Sequence, residues 1–285
     1  MADMSYKTIL VFLEERDHCD ASLDVAVRIA NAHEAHLIGL AIQRPFHTYS
    51  GLYADLGVSA ELDKVLMERE KERLADLQAR FAASTKDQNF VAEWRALSSH
   101  PSGVTSTLLH QAATAELLIL ADDTDTDVAH PVMRDRGVLV TGCACPVLSC
   151  PSDGVSNTIG EFVLVAWDGS KQASRAVFNT LPVLHKAKQV WLHRVNSASE
   201  TKAHTDGLAR DLAMALSRKG VDVELGFSDC KFNKVGEEIL RVASAHGADS
   251  IVMGAYGHTR LRDLVLGGAT SYLLEHSKLP LFLNG

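Results

Sequence analysis

Gly254 and Gly257, separated by Ala255 and Tyr256, are followed after nine further residues by Gly267-Gly268-Ala269-Thr270. The apolar run Ser250-Ile-Val-Met253 before them reads as a buried strand, and Ser271-Tyr-Leu-Leu-Glu-His276 after them reads as a helix. Glycine has no Cβ, so such a loop lets a ligand approach the backbone closely. The unpaired N–H groups of a helix start favour an anion. Glycines at a strand end and again at the next helix start therefore make a candidate phosphate cradle. The pattern occurs only in the second half of the chain.

Other residues with chemical potential are fewer. Asp168 ends the apolar run Phe162–Trp167 and opens Asp168-Gly-Ser170, where it can meet a ligand or cap the next helix. Arg260 and Arg262 lie within the nine-residue spacer and could reach phosphate oxygens, or pair with a carboxylate such as Asp263. His258 reads as loop lining rather than as a base. Asp123-x-Asp125-x-Asp127 begins like a calcium loop, but Val128 stands where the loop needs Gly and Arg134 where it needs Glu. A solvated acidic loop is the better reading.

The five cysteines are an odd count without disulfide-scaffold spacing. Cys143, Cys145 and Cys150 cluster, yet no Cys-x-x-Cys pair exists, so they read as small buried side chains near a strand. The motifs G-x4-G-K-[ST], H-E-x-x-H and G-x-S-x-G are absent. No catalytic residue and no metal ligand is assigned.

The elements that must position these residues alternate. In the first half, strands are expected at Thr8–Glu14, His36–Ile42, Phe90–Leu97, Leu117–Ala121 and Pro146–Ser149. Helices are expected at Ala21–Ala32, along Leu62, Leu66, Leu74, Leu77 and Phe81, around Pro101–Ala115, and near Val132–Val140. The second half repeats the order. Its strands are Phe162–Trp167, Val190–Val195, Val221–Phe227, Ser250–Met253 and Leu279–Leu283. Its helices are Gln172–Leu181, the stripe Leu208, Leu212, Ala215 and Leu216, the stripe Val235, Ile239, Val242 and Ala243, and the segment after the glycines. Alternation of this kind implies right-handed crossovers and parallel sheets covered on both faces.

The halves align by element. Ile9-Leu-Val-Phe-Leu-Glu14 matches Val163-Leu-Val-Ala-Trp-Asp168 at an offset of 154, and Cys145–Cys150 matches Leu279–Asn284 at 134. The difference of 20 residues is assigned to the stretch Gln43–Ala60, where a long loop could cover a site or form a partner surface. Pro151-Ser-Asp-Gly-Val-Ser-Asn157 reads as a linker. The expected domains are 1–151 and 158–285.

On these residues the chain resembles the universal stress protein family. The family pattern is G-x2-G-x9-G-[S/T] after the fourth strand, with an Asp ending the first. Gly254, Gly257, Gly267 and Asp168 match it, and the element order matches over nearly the whole chain as two copies. The resemblance implies two tandem open parallel five-stranded sheets of the Rossmann-like, adenine nucleotide alpha-hydrolase-like class. It implies ATP, or ADP or AMP, bound with Mg²⁺ at the strand ends. Carried over by position, Asp168 lies near the adenosine, and the backbone at Arg194 and Val195 meets the adenine. Met253, Gly254 and Gly257 line the path to the phosphates, and Gly267, Gly268 and Ala269 donate N–H groups to them.

The Ser or Thr expected after Gly267 is Gly268, which removes a hydroxyl donor; Thr270 is the candidate substitute. One neutral hydrogen bond contributes about 1 kcal/mol, so weakened binding is expected. In the first half, Ala121 and Thr124 stand at the positions of Gly254 and Gly257, and Glu14 stands at that of Asp168. The four carboxylates of Asp122-Asp-Thr-Asp-Thr-Asp127 would repel a polyphosphate. The first half is therefore read as degenerate for ATP.

Bulk properties narrow the partners. A net charge of −8 argues against nucleic acid. The first residues lack the basic start and apolar core of a signal peptide, and the apolar runs are too short to span a bilayer. A cytoplasmic protein is expected. The resemblance also implies pairing through the last strands of the two halves, an internal pseudo-dimer that removes an exposed sheet edge. Further homodimerisation is left open. The expected role is a nucleotide-responsive stress regulator with at most slow hydrolysis; the alternative is a protein-interaction module of the same fold that binds no nucleotide.

Overall fold

The strands form one sheet, and its central members are buried on both faces. The computed structural model describes residues 4–14, 19–43, 60–99, 103–122, 136–151, 155–197, 202–231, 234–255 and 268–285, with backbone alone at 60–63, 122, 197 and 202–205. The first half runs β1 (Thr8–Phe12), α1 (Cys19–His33), β2 (His36–Gln43), α2 (Ala60–Thr85), β3 (Ala92–Ser98), α3 (Val104–Ala112), β4 (Leu117–Asp122), α4 (Arg136–Gly142) and β5 (Val147–Pro151). The second runs β6 (Phe162–Ala166), α5 (Lys171–Asn179), α6 (Leu181–Lys186), β7 (Gln189–Ser197), α7 (Lys202–Ser217), β8 (Glu224–Cys230), α8 (Val235–His246), β9 (Ser250–Gly254), α9 (Ala269–His276) and β10 (Leu281–Asn284).

The strand order is β3-β2-β1-β4-β5-β10-β9-β6-β7-β8. Within each half all pairings are parallel. The halves meet at an antiparallel seam, with Leu281 opposite Ser149, Phe282 opposite Leu148 and Leu283 opposite Val147. The two expected five-stranded sheets are thus halves of one ten-stranded sheet. β5 and β10 would each be an open edge alone, and their pairing satisfies both. It also turns the C-terminal strand ends of the two halves toward opposite sides of the sheet.

Strand alternation sorts the core into two layers. Ile9, Val11, Ile119, Leu148, Val163, Val165, Leu192 and Phe282 pack beneath α1, α2, α5, α6 and α7. Leu10, Phe12, Leu118, Val147, Leu164, Ile251, Met253 and Leu283 pack beneath α3, α4, α8 and α9. Both layers cross the seam without a break. Polar contacts bind the halves further: Tyr6 Oη donates to the Asn179 carbonyl at 3.0 Å, and Lys186 donates to the Ala32 carbonyl at 2.6 Å.

Three sequence expectations shift. The helix expected over Gln172–Leu181 is two helices, because Thr180 turns its hydroxyl back onto the Ala176 carbonyl at 2.6 Å and Pro182 opens a new first turn. The strand expected over Val221–Phe227 begins at Glu224. Val221 is buried in the turn beyond α7, where its N–H returns to the Leu216 carbonyl. Pro151, read as linker, is the buried last residue of β5.

His193 on β7 is packed over Gly226 of the edge strand β8, whose hydrogen leaves room for the ring. Its Nε2 lies 3.0 Å from Ser228 Oγ. Burial lowers its pKa from 6.5, opposed by Glu238 and reinforced by His246 and Arg241. The folded protein thus prefers the neutral ring, and the unfolded chain binds the proton more readily. This contribution to stability is present above about pH 6.5 and is lost as pH falls through the lower folded value. The urea midpoint of the wild type should drop as pH is lowered from about 7 to 5, and His193→Gln should flatten that drop. An unchanged slope in the variant would assign the effect to other groups. Glu238, held low chiefly by its hydrogen bond to Arg241, adds a separate loss at pH values below the ordinary carboxylate range.

Candidate functional site: the C-terminal ends of β6, β7 and β9

β6 lies between β7 and β9, so the chain leaves it toward β7 on one side and returns through β9 on the other. The crevice at such a switch point is where open parallel sheets bind ligands. The β6–α5 turn and the ends of β7 and β9 lie at this point, and α9 is the element that follows β9.

In the β6–α5 turn, Trp167 is buried and Asp168 is exposed. Gly169 has φ +85°, a conformation that favours glycine. The Ser170 N–H donates to Asp168 Oδ1 at 2.9 Å, and Ser170 Oγ accepts from the Ala173 N–H at 3.1 Å. Ser170 is therefore the helix cap, and the capping role considered for Asp168 is corrected. Asp168 keeps its carboxylate at the surface and braces the turn.

At the end of β7, Arg194 is 1 % exposed and its Nε donates to Asn196 Oδ1 at 2.8 Å. The guanidinium runs under the turn, with a terminal nitrogen 3.5 Å from where a Gly169 Cβ would sit. Val195 faces the opposite layer and is half-buried. A long basic side chain wholly inside the protein was not apparent from the sequence. Its place follows from strand alternation, which turns residue 194 toward the face of Leu192.

At the end of β9, Met253 is buried and Gly254 is partly so. A Cβ on Gly254 would lie 2.3 Å from the Ala173 nitrogen and 2.6 Å from the Gln172 carbonyl carbon. This glycine lets the first turn of α5 rest directly on β9. The start of α9 is different. Gly268 has φ +154° and ψ 176°, and no side chain among the described residues caps the helix. Nothing among the described residues lies within 4 Å of where its Cβ would be. Ala269 packs on the core, and Thr270 is buried on the inward side with Leu273. Gly257, His258, Arg260, Arg262 and Gly267 lie outside the described residues, as do Asp123–Asp127 in the first half.

The corresponding place in the first half holds a side chain. Arg73 of α2 donates to the Glu14 carbonyl beyond β1 and, at 3.1 Å, to the Ile42 carbonyl near the end of β2. Its guanidinium also grips Glu70 through two hydrogen bonds of 2.8 and 2.6 Å. Glu70 is 7 % exposed, so Arg73→Met removes two charged hydrogen bonds from a buried carboxylate. The variant should lose about 2–3 kcal/mol in urea unfolding; a loss below about 0.5 kcal/mol would mean solvent reaches Glu70 freely.

Among the described residues no group of three or more His, Cys, Asp or Glu side chains could hold a metal ion, and no helix is long and apolar enough to cross a membrane.

Comparison with known proteins agrees with this architecture. The model of the universal stress protein family matches residues 162–283. A universal stress protein of Methanocaldococcus jannaschii is 36 % identical over 47 residues, which are 16 % of this chain and 29 % of that protein. The chain thus spans under a third of that relative's length. The crystal structure of a universal stress protein from Archaeoglobus fulgidus aligns with 99 % of this chain and 97 % of its own, at 17 % identity and a TM-score of 0.73. That likeness is one of fold. A universal stress protein crystallised in complex with cAMP aligns with 52 % of this chain and 98 % of its own, at 19 % identity and a TM-score of 0.32. Residues 162–283 match the universal stress protein family model, and the first half repeats the same α/β fold.

Proposed function

We propose that the second half binds an adenine nucleotide at the ends of β6, β7 and β9, and that the protein acts as a nucleotide-responsive regulator in a stress response. The observation that carries this reading is the start of α9 at Gly268, in the connection that follows β9, with no side-chain cap among the described residues. The first N–H groups of α9 need partners, and a phosphate supplies them.

ATP is the first candidate, with ADP and AMP behind it and Mg²⁺ accompanying the phosphates. In this reading Gly267, Gly268 and Ala269 meet the phosphates through their backbone. Asp168 takes the ribose, since its carboxylate is exposed beside Gly169. The backbone at Arg194 and Val195 borders the adenine, and Met253, Gly254 and Gly257 line the path between. Thr270 steadies α9 from its inner side. No acid–base pair is assigned, so hydrolysis is slow or absent. The Arg73 bridge across β1 and β2 supports a first half silent toward nucleotide.

Calorimetric titration with Mg²⁺–ATP tests the reading. One site per chain is expected. Asp168→Ala should weaken it about tenfold through loss of charged hydrogen bonding, with the melting temperature nearly unchanged because Ser170 still caps α5. No binding of ATP, ADP or AMP, by calorimetry and by equilibrium dialysis, would sink it. The missing hydroxyl at Gly268 would then favour a protein-interaction module of the same fold.

A further inference from the structure

Cys143 and Cys145 lie in the short link between α4 and β5. Their Sγ atoms are 3.5 Å apart, and all five cysteines are free thiols. The two sulfurs are turned toward each other. The link is held firmly on both sides: the Cys143 N–H bonds the Leu139 carbonyl at 2.9 Å, and the Leu118 N–H bonds the Pro146 carbonyl at 3.1 Å. Cys145 Sγ also lies 3.8 Å from the Ala112 carbonyl, at the end of α3. With 8 % and 5 % exposure the pair is shielded from bulk solvent, with Cys143 the more open.

We propose that Cys143 and Cys145 form a peroxide-sensitive dithiol that closes to a reversible disulfide beside the seam between the two halves. The distance to be closed is from 3.5 Å to about 2.0 Å. Hydrogen peroxide is the oxidant. The Cys143 thiolate attacks one peroxide oxygen and becomes a sulfenic acid, and the other oxygen leaves as hydroxide and takes a proton to become water. The Cys145 sulfur then attacks Cys143 Sγ, forms the S–S bond and expels the sulfenic hydroxyl, which leaves as a second water once protonated. In sum, two thiols and one peroxide give one disulfide and two waters.

The order of attack follows from the pair itself. The contact between the two sulfurs lowers the Cys143 pKa, and the same contact together with burial raises that of Cys145. A lowered thiol beside a resolving thiol is the arrangement redox-sensing cysteines use. Closure would pull on Gly142–Pro146. That link joins α4, which lies against β10, to β5, which pairs with β10, so oxidation at this point acts on the seam.

Full-length folded protein is treated with hydrogen peroxide, and free thiols are counted after quenching and unfolding. Two of the five thiols should disappear together, with a mass loss of two hydrogens mapped to the 143–145 peptide and reversed by dithiothreitol. The loss should be at least ~10-fold faster than peroxide oxidation of Cys143→Ser. Cys145→Ser should also leave a dimedone-reactive sulfenic acid at Cys143. Peptide mapping of the wild type needs no variant, so poor folding of either serine form leaves the test intact. A disulfide through Cys19, Cys150 or Cys230 instead, thiol loss at equal rates in wild type and Cys143→Ser, or oxidation only in denaturant would each overturn the proposal.

Discussion

Gly254→Ala is expected to destabilise the fold by about 3 kcal/mol, the upper end of overpacking costs. The added methyl would sit 2.3 Å from the Ala173 nitrogen, 2.6 Å from the Gln172 carbonyl carbon and 2.8 Å from the Ala173 Cα. All three are backbone atoms in the first turn of α5, so no side chain can rotate away. Relief requires α5 to lift from β9. That would disturb the bond from the Ala173 N–H to Ser170 Oγ and the burial of Ala173, Ala176 and Val177. In a chain of this size the melting temperature should fall by roughly 6–12 °C. A fall below roughly 2 °C would show that α5 moves cheaply, and that Gly254 serves something other than packing.

Gly268→Val is expected to have the opposite profile, with ATP affinity reduced more than ~10-fold and a smaller loss of stability. Its backbone, at φ +154° and ψ 176°, belongs to a region nearly reserved for glycine. Valine would turn the N–H groups at the start of α9 away from their present aim. Its side chain would also project where no described atom lies within 4 Å of the Cβ, the space a phosphate would occupy. The end of a surface helix can relax into such space, whereas the α5–β9 contact cannot. Titration of the folded variant with Mg²⁺–ATP is the measurement. Unchanged affinity would remove the phosphates from the start of α9. Because the two glycines do different work, a variant at Gly254 is a poor probe of binding: its first effect is on folding.

Much of the fold was legible because central strands buried on both faces must be apolar along their whole length, as Ile9–Leu13 and Val163–Trp167 are. Helix stripes such as Val235, Ile239, Val242 and Ala243 were equally plain, since one face must meet the sheet. Edge strands were harder. β8 is open on one side, needs less apolar content, and lay three residues beyond its expected start. The candidate site was legible as far as glycine spacing carries, because a backbone-lined cradle leaves its mark in missing side chains. What each glycine does was not legible, since Gly254 and Gly268 look alike until their neighbours are known.

The sequence by itself determined the element order, the internal repeat, the family resemblance and the half that keeps the glycine loop. These depend on local periodicity and on the identity of neighbouring residues. Only the tertiary structure decided that the halves share one sheet through Leu281–Leu283 and Val147–Ser149. It alone set Gly254 against α5, laid Arg73 across the ends of β1 and β2, buried Arg194 under the β6–α5 turn, and turned the sulfurs of Cys143 and Cys145 toward each other. Most of these are contacts between residues far apart in the chain, and all depend on which side of the sheet each side chain takes and which way a loop turns. Periodicity within one segment carries no information about what lies against it.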